Sequence, residues 1–486
     1  MSEFSQLLSQ HIHNKDIKTY ALAQYCGLDR SNMYKVINGK RKPTSEEMVD
    51  KMCKFMHLSP VEENALKEAY SIALVGSDNY YRRKDVLCFF EEFNLTGSSV
   101  PAASYTMETD STFDEVVLLN IPAEVNRALL YILSMELHRE NGHIRMLIQP
   151  DYEFLINVLA AEDHYKAGVK IDHLICLNNN SETAFTPSHR NYNLQCLKHI
   201  LPLYGSNYTY NCFYYYDNVL SRDSSMTLFP YIIITSEYAC LLTSDYQKGY
   251  LTRSDESLHM FTDIFKEHLK KASPLLHRID NPFMQLEYVQ KLFLGSSIRC
   301  SFQMTPCFTP FITPELMEKC VSKDMPKRRE FIALFQSYIQ NILQSHACSA
   351  VSFIFSLDGV IRFLNTGEIR EYPPEVYVPL EHAERVWLIK QLLQACRTQN
   401  YRMLKENVGN LDNELYLFVN QQKGYLMFSA PAHKNLVYLD IEEPGLLFTF
   451  LDFCKNLDTN MFYTREETIQ KLRHLIDKAE AVQDRL

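Results

Sequence analysis

The residues of this chain with the clearest chemical potential lie close together near its start. From Arg30 to Ser45 there are five basic side chains, Arg30, Lys35, Lys40, Arg41 and Lys42, and no acidic one. The whole chain carries a formal net charge of −10. Its bulk charge would therefore draw it neither to nucleic acid nor to an anionic membrane, and any such contact must come from a local patch. A basic island on an acidic protein is what phosphate neutralisation requires. Ser31, Asn32 and Tyr34 are interleaved with the cations, and their side chains carry hydrogen-bond donors and acceptors.

Two short elements must position these groups. Leu22, Ala23 and Cys26 recur at helical spacing, which predicts one short amphipathic helix. Gly27 ends it, because glycine tolerates the positive φ of a helix C-terminus. Leu28 can plug between two helices, and Asp29 is a good N-cap for the next one. That second helix, Arg30 to about Asn38, buries Met33, Val36 and Ile37 and turns Arg30, Ser31, Asn32, Tyr34 and Lys35 outward. A tight glycine turn leaves such a helix proud of the surface, able to enter a major groove about 12 Å wide.

The pattern from Leu22-Ala23 through Gly27-Leu28-Asp29-Arg30-Ser31, Met33 and Val36 to Gly39-Lys40-Arg41-Lys42-Pro43 resembles the Cro/cI-type (XRE, lambda-repressor-like) helix-turn-helix family of bacterial and phage transcriptional regulators. The resemblance covers residues from about 14 to 60. It continues through an expected helix from Ser45 to His57. Cys26 stands where the family often has Leu, and Asn38 at a variable position. The family likeness implies a base-facing set of Thr19, Arg30, Ser31, Asn32, Tyr34 and Lys35. It implies a phosphate-facing set of Asn38, Lys40, Arg41 and Lys42. It also implies double-stranded DNA as a partner and a homodimer as the binding form.

The remainder reads differently. Pro60–Val75 carries a helical stripe, Leu66, Ala69, Tyr70 and Ala73, and Val86–Phe93 is also helix-like. Between them the run Tyr80-Tyr81-Arg82-Arg83-Lys84 reads as the solvated shoulder of a connecting or dimerising helix, with contact to DNA as the alternative. Asn94–Asp110 reads as a linker. From about residue 113 strands alternate with helices. Strand-like runs fall at Val116–Ile121, Arg145–Gln149, Lys170–Leu177, Tyr208–Tyr216, Tyr231–Ser236 and Ala239–Thr243. Helices are expected at Ala123–Glu140, Tyr152–Ala167, Tyr192–Leu201 and Glu256–Lys270, with a polar loop at Asn178–Arg190. Beyond them Lys327–Gln344 and Leu380–Thr398 read as helices, and Leu415–Asn420 and Gly424–Ser429 as strands. Leu357-Asp358-Gly359, between Ala350–Ser356 and Val360–Asn365, reads as a hairpin turn. The order strand, turn, strand, polar break, short strand, helix occurs over Tyr231–Leu269 and again over Glu414–Leu457.

The expected fold is therefore multidomain, an all-α helix-turn-helix domain followed by a large α/β (or α+β) region that the repeat divides into two lobes. The boundaries read as 1–60 for the helical domain, 61–110 for connecting helices and linker, and 111–280 and 281–486 for two sensor or dimerisation domains.

Other chemistries are poorly represented. There is no GxSxG, P-loop, GxGxxG or HExxH. Two-lobed α/β folds include the phospholipase D superfamily, whose nucleases need HxKxxxxD; His13-Asn14-Lys15 begins that pattern, but position 20 is Tyr. His11 and His13 read as surface residues. Asp151, Glu153, Glu162, Asp163 and His164 read as solvated helix faces, and Cys300 and Cys307 as unreactive thiols. The 13 cysteines are scattered singly and never form CxxC, so neither a disulfide framework nor a zinc site is expected, and reduced thiols fit a cytoplasmic protein. The first residues lack the basic flank and apolar run of a signal peptide, and no apolar stretch approaches the ~18 residues of a membrane span. No metal and no cofactor is expected. The function that follows is a sequence-specific transcriptional regulator, not an enzyme, whose C-terminal region dimerises or senses a small-molecule or peptide effector. An alternative is an enzyme or toxin-like effector that carries the N-terminal domain for DNA targeting or autoregulation. A peptide-sensing regulator with a helical-repeat C-terminus is a weaker reading, since the strand-like runs count against it.

Overall fold

The computed structural model of the protein describes residues 2–93, 115–161, 168–178, 191–217, 228–279, 281–292, 298–346, 350–373, 375–430 and 435–483. The linker Asn94–Asp110, residues 179–190 of the polar loop, and Glu162, Asp163 and His164 lie outside them. The chain divides into two compact units, Met1–Asp85 and Val86–Leu486.

The first unit is all helical: α1 (Glu3–Asn14), α2 (Thr19–Tyr25), α3 (Arg30–Ile37), α4 (Glu46–Phe55), α5 (Pro60–Val75) and the first part of α6 (Ser77–Glu91). Local sequence sets its helix starts. Ser2, Asp29, Ser45 and Ser59 each cap a helix by accepting a backbone N–H, and Ser59 with Glu62 forms a reciprocal capping box ahead of Pro60. Apolar residues one turn apart then converge on one core: Phe4 and Leu8, Leu22 and Cys26, Met33 and Val36, Val49 and Met52, and Leu66, Ala69 and Tyr70 from α5. The helix that follows residue 60 is thus part of the same core, and the Tyr70 hydroxyl donates to the Pro43 carbonyl at 3.3 Å.

The second unit is α/β with two mixed sheets. In chain order it contains β1 (Val116–Leu119), α7 (Pro122–Leu137), β2 (His143–Leu147), α8 (Glu153–Ala161), β3 (Lys170–Asn178), α9 (Tyr192–Tyr204), β4 (Thr209–Asp217), β5 (Tyr231–Ile234), β6 (Ala239–Leu242), β7 (Gly249–Thr252) and α10 (Asp255–Leu269). The short β8 (Ser273–Pro274) leads into β9 (Leu276–Ile279), α11 (Pro282–Leu292), β10 (Ile298–Phe302), α12 (Pro314–Cys320), α13 (Arg328–His346), β11 (Ala350–Ser356), α14 (Leu357–Thr366) and α15 (His382–Thr398). Last come β12 (Tyr401–Leu404), β13 (Tyr416–Asn420), β14 (Gly424–Ala430), β15 (Asn435–Ile441), α16 (Pro444–Lys455) and α17 (Arg465–Gln483).

The first sheet has the strand order β1-β7-β6-β5-β2-β3-β4-β8 and the second β12-β11-β10-β13-β14-β15-β9. They follow one plan. In the first, β2, β3 and β4 are parallel, and β5, β6, β7 and β1 continue antiparallel from β2. In the second, β10, β11 and β12 are parallel, and β13, β14, β15 and β9 continue antiparallel from β10. The repeated order of Tyr231–Leu269 and Glu414–Leu457 corresponds to β5-β6-β7-α10 and β13-β14-β15-α16. In β3, which has a parallel partner on each side, Ile171 to Leu177 are all buried, as expected of a strand covered on both faces. Phe89 and Phe90 of α6 pack in this unit, Phe90 with its ring centroid 4.6 Å from Phe302 and 6.0 Å from Phe453.

The structure corrects the hairpin expected at Leu357-Asp358-Gly359, because β11 runs directly into α14 there. The Ser356 hydroxyl accepts the Gly359 N–H at 3.0 Å as an N-cap, and Val360, Phe363 and Leu364, spaced three and four apart, bury one helical face. The glycine serves close approach rather than a turn. A Cβ at Gly359 would lie 2.0 Å from the Met304 carbonyl oxygen. Beside this corner Glu414 is fully enclosed; its carboxyl accepts the Thr305 N–H at 2.8 Å, the Thr305 hydroxyl at 3.1 Å and the Tyr416 hydroxyl at 3.0 Å. Burial pushes its pKa up to about 7 against those hydrogen bonds.

Two stability predictions follow from this corner. Gly359→Ala is expected to lower the unfolding free energy of the second unit by about 3 kcal/mol, read from the urea midpoint. For Glu414 the folded pKa exceeds the unfolded one, so the folded state binds the extra proton. Stability is full below the ordinary glutamate range and falls as pH rises from about 4.5 to about 7, by roughly 3 kcal/mol. Urea titrations across that window are expected to show the decline in the native chain and a flatter profile in Glu414→Gln.

Candidate nucleic-acid interface

The geometry of residues 19–42 starts from one turn. α2 ends at Tyr25, Gly27 takes φ +70°, and the Leu28 N–H closes back on the Ala23 carbonyl at 2.9 Å. This is the positive-φ helix end that glycine accommodates without strain. Asp29 then starts α3: its Oδ1 accepts the Asn32 N–H at 2.7 Å. Met33, Val36 and Ile37 are buried, which leaves Arg30, Ser31, Tyr34 and Lys35 exposed and Asn32 half-buried. Asn38, Lys40, Arg41 and Lys42 continue the exposed run. Lys40 and Arg41 both donate their backbone N–H to the Lys35 carbonyl, at 2.8 and 3.1 Å, which folds the basic tail back along α3.

Side chains tie the two ends of this arc together. Asn32 donates its amide to Asp29 Oδ2 at 2.6 Å and accepts from the Arg41 guanidinium at 3.0 Å. Its amide is thus committed within the protein and positions Arg41. The Arg30 guanidinium lies 5.6 Å from the centroid of the Tyr34 ring. Hydrogen bonds from Arg30 and then Thr19 hold the Tyr34 phenol below its ordinary pKa. Thr19, half-buried at the first position of α2, therefore contacts the exposed face of α3 through Tyr34. The Lys42 ammonium lies 3.5 Å from the Leu74 carbonyl at the end of α5, where a cation meets the negative end of a helix dipole. Among the described residues none of the five cations Arg30, Lys35, Lys40, Arg41 and Lys42 is ion-paired with a carboxylate. Their charge is therefore presented outward.

Tyr20 and Tyr25, absent from the sequence-derived set, are 65% and 51% exposed on α2, the Tyr25 ring lying 5.2 Å from that of Phe55. Their signal was available in the helical period, because both fall off the Leu22–Cys26 stripe. The links from Asn32 to Arg41 and from Thr19 to Tyr34 span 9 and 15 positions, and no local period reports them.

The remaining candidates have ordinary roles. Asp151 accepts the Tyr246 hydroxyl at 2.7 Å, His11 lies 3.8 Å from Glu62, and Cys300 is buried in β10. Burial, with the nearby Glu371, pushes the Cys307 thiol well above its usual pKa, the opposite of an activated nucleophile. Among the described residues no group of three or more His, Cys, Asp or Glu is arranged to hold a metal ion. Nor is any helix among them long and apolar enough to cross a membrane.

No family model and no curated protein matches the chain. Solved structures that match it include TrmBL2, an archaeal chromatin protein described as showing a novel mode of DNA binding, at 12% identity over 51% of this chain and 84% of that one, with a TM-score of 0.22. Phosphatidylserine synthase from Haemophilus influenzae Rd KW20 matches at 10% identity over 76% and 94%, TM-score 0.23. Polyphosphate kinase from Porphyromonas gingivalis matches at 12% identity over 75% and 55%, TM-score 0.20. Overlaps this low establish neither a shared fold nor a shared activity.

Asp29 both caps α3 and anchors Asn32, so Asp29→Ala is expected to weaken α3 by about 1 kcal/mol. Amides of residues 31–36 should then exchange with deuterium roughly fivefold faster. Asp29→Asn, which retains a capping oxygen, should exchange as the native chain does.

Proposed function

We propose that the protein is a sequence-specific DNA-binding transcriptional regulator. In this reading α2 and α3 act as a helix-turn-helix of the Cro/cI type. The exposed face of α3 reads base edges in the major groove through Arg30, Ser31, Tyr34 and Lys35. Asn38, Lys40, Arg41 and Lys42 run along the phosphates, and Thr19 holds Tyr34 in place. Asn32 orients Arg41 and reaches a base only by releasing Asp29. The observation that carries the reading is the outward arc of five cations, none ion-paired with a carboxylate among the described residues, built on a capped, exposed helix in a chain of net charge −10. Sequence information would come from α3 and most of the affinity from the phosphates, so binding should be local and strongly salt-dependent.

The second unit is assigned the sensing and dimerising role. A dimer would meet a pseudo-palindromic site with half-sites about 34 Å apart, one turn of DNA. The expected site of action is the cytoplasm.

Selection of the full-length protein against a random double-stranded DNA pool is expected to enrich such a site, and failure to enrich or retard any sequence would overturn the reading. On the enriched site Arg30→Ala should lose about 1–3 kcal/mol and relax preference at one base position. Lys40→Ala should weaken all sequences alike and make the salt dependence shallower by about one unit of slope.

A further inference from the structure

Two thiols and one cation meet on one face of the second sheet. The parallel register sets Phe302 of β10 beside Ile354 of β11, and Ile354 beside Arg402 of β12. Paired residues of neighbouring strands project to the same face, and so do residues two apart on one strand. Cys300, Phe302, Ile354 and Arg402 therefore share a face. α16 lies across it: the Phe453 ring centroid is 5.5 Å from that of Phe302, and Phe90 of α6 joins them at 4.6 Å from Phe302. Cys454 follows Phe453 in α16, and its thiol is hydrogen-bonded to that of Cys300. Cys300 and Cys454 are 2% and 1% exposed.

Arg402 completes the group. Its guanidinium is half-buried and lies 3.7 Å from the centroid of the Phe462 ring. Among the described residues no carboxylate pairs with it, and the side chains that bear on its charge are Cys300 and Cys454. An arginine taken out of water is ordinarily paired with an anion. Here the groups beside it that can become negative are two sulfurs. Apolar packing alone accounts for a buried thiol, but it does not account for a cation turned toward two of them.

Two adjacent thiols without a third ligand define a narrow class of metal ion. Zinc sites and iron–sulfur clusters take three or four protein ligands, and among the described residues no group of three or more His, Cys, Asp or Glu is placed to supply them. Soft thiolates select monovalent copper. Two of them hold it in a linear S–metal–S unit little longer than two thiols in hydrogen-bond contact. On binding, each sulfur exchanges its proton for the metal, and both protons leave to water. Two thiolates and one monovalent ion sum to a single negative charge, which the Arg402 guanidinium balances. A disulfide between the same sulfurs would be neutral and would leave Arg402 without a counter-charge. The surrounding rings of Phe302 and Phe453 keep water, and so further oxygen ligands, away from the sulfurs.

We propose that Cys300 and Cys454 form a two-coordinate site for copper(I), with Arg402 as its counter-charge. The site lies wholly in the second unit and stands independently of DNA binding by α3.

The test titrates the reduced, full-length protein with copper(I), supplied as its acetonitrile complex without oxygen, against the chelator bicinchoninate. One equivalent should be drawn from the chelator. X-ray absorption of that complex should show two sulfur neighbours on copper and no nitrogen or oxygen. Cys300→Ser and Cys454→Ser should each weaken this equivalent at least about 100-fold, whereas Cys212→Ser, at a buried thiol of the first sheet, should leave it unchanged. Arg402→Gln should weaken it about 10-fold, and Arg402→Lys, which keeps the charge, should recover most of that loss. Failure to hold any copper against the chelator overturns the proposal. So do a third sulfur neighbour, a tight equivalent that survives Cys300→Ser or Cys454→Ser, and an affinity that Arg402→Gln does not change. The absorption measurement and the Arg402 variants decide the matter where a cysteine variant fails to fold.

Discussion

Parallel strand pairing is the constraint on which most of this molecule depends. β2, β3 and β4 run the same way, as do β10, β11 and β12, and no hairpin can join parallel neighbours. Each return must climb back over a sheet face, and it does so as a helix: α8 and α9 in the first sheet, α12 to α15 in the second. Those helices cover the strands, which is why β3 is buried over seven consecutive positions, with Asp172 and His173 held there by hydrogen bonds to His143 and Asn211 and to Tyr210 and Ile148. The antiparallel neighbours β5, β6 and β7, and likewise β13 and β14, need no such crossing and follow one another through short connections, whereas β1 and β9 join their sheets from far along the chain. Two different connection rules operating in sequence produce the order of elements in both lobes.

The N-terminal unit rests on a more local logic. Four capped helices bury single stripes, and the polar side of α3 is left over for other work. What distinguishes it is charge. Arg30, Lys35 and the Lys40–Lys42 tail lie on an acidic chain yet find no carboxylate partner among the described residues, and the contacts they do make are with rings, amides and carbonyls. Contacts of that kind fix the position of a cation without neutralising it.

Much of this was legible along the chain because it is set by neighbours. Asp29, Gly27 and the Met33–Val36–Ile37 stripe act within one helical turn, and the buried run of β3 is continuous. The misreading at Leu357–Gly359 is instructive. Asp-Gly is a turn signal in isolation, but the glycine is there because the helix start presses on Met304, 55 positions earlier in the chain. Distance along the chain also hid the membership of α5 in the first core and the ties from Asn32 to Arg41 and from Thr19 to Tyr34. None of these leaves a period, because each depends on where two distant segments are brought together.

The duplicated plan of the second unit has a thermodynamic corollary. Two lobes on separate chains would pair by mass action and come apart on dilution. Here they share one polypeptide, joined through the few residues of β8 and β9, share a continuous apolar core, and are linked again where the Tyr216 hydroxyl donates to Glu443. Their association is therefore unimolecular, with an effective concentration set by the link and not by how much protein is present. A surface built from both lobes keeps its composition at any dilution at which the chain itself stays folded.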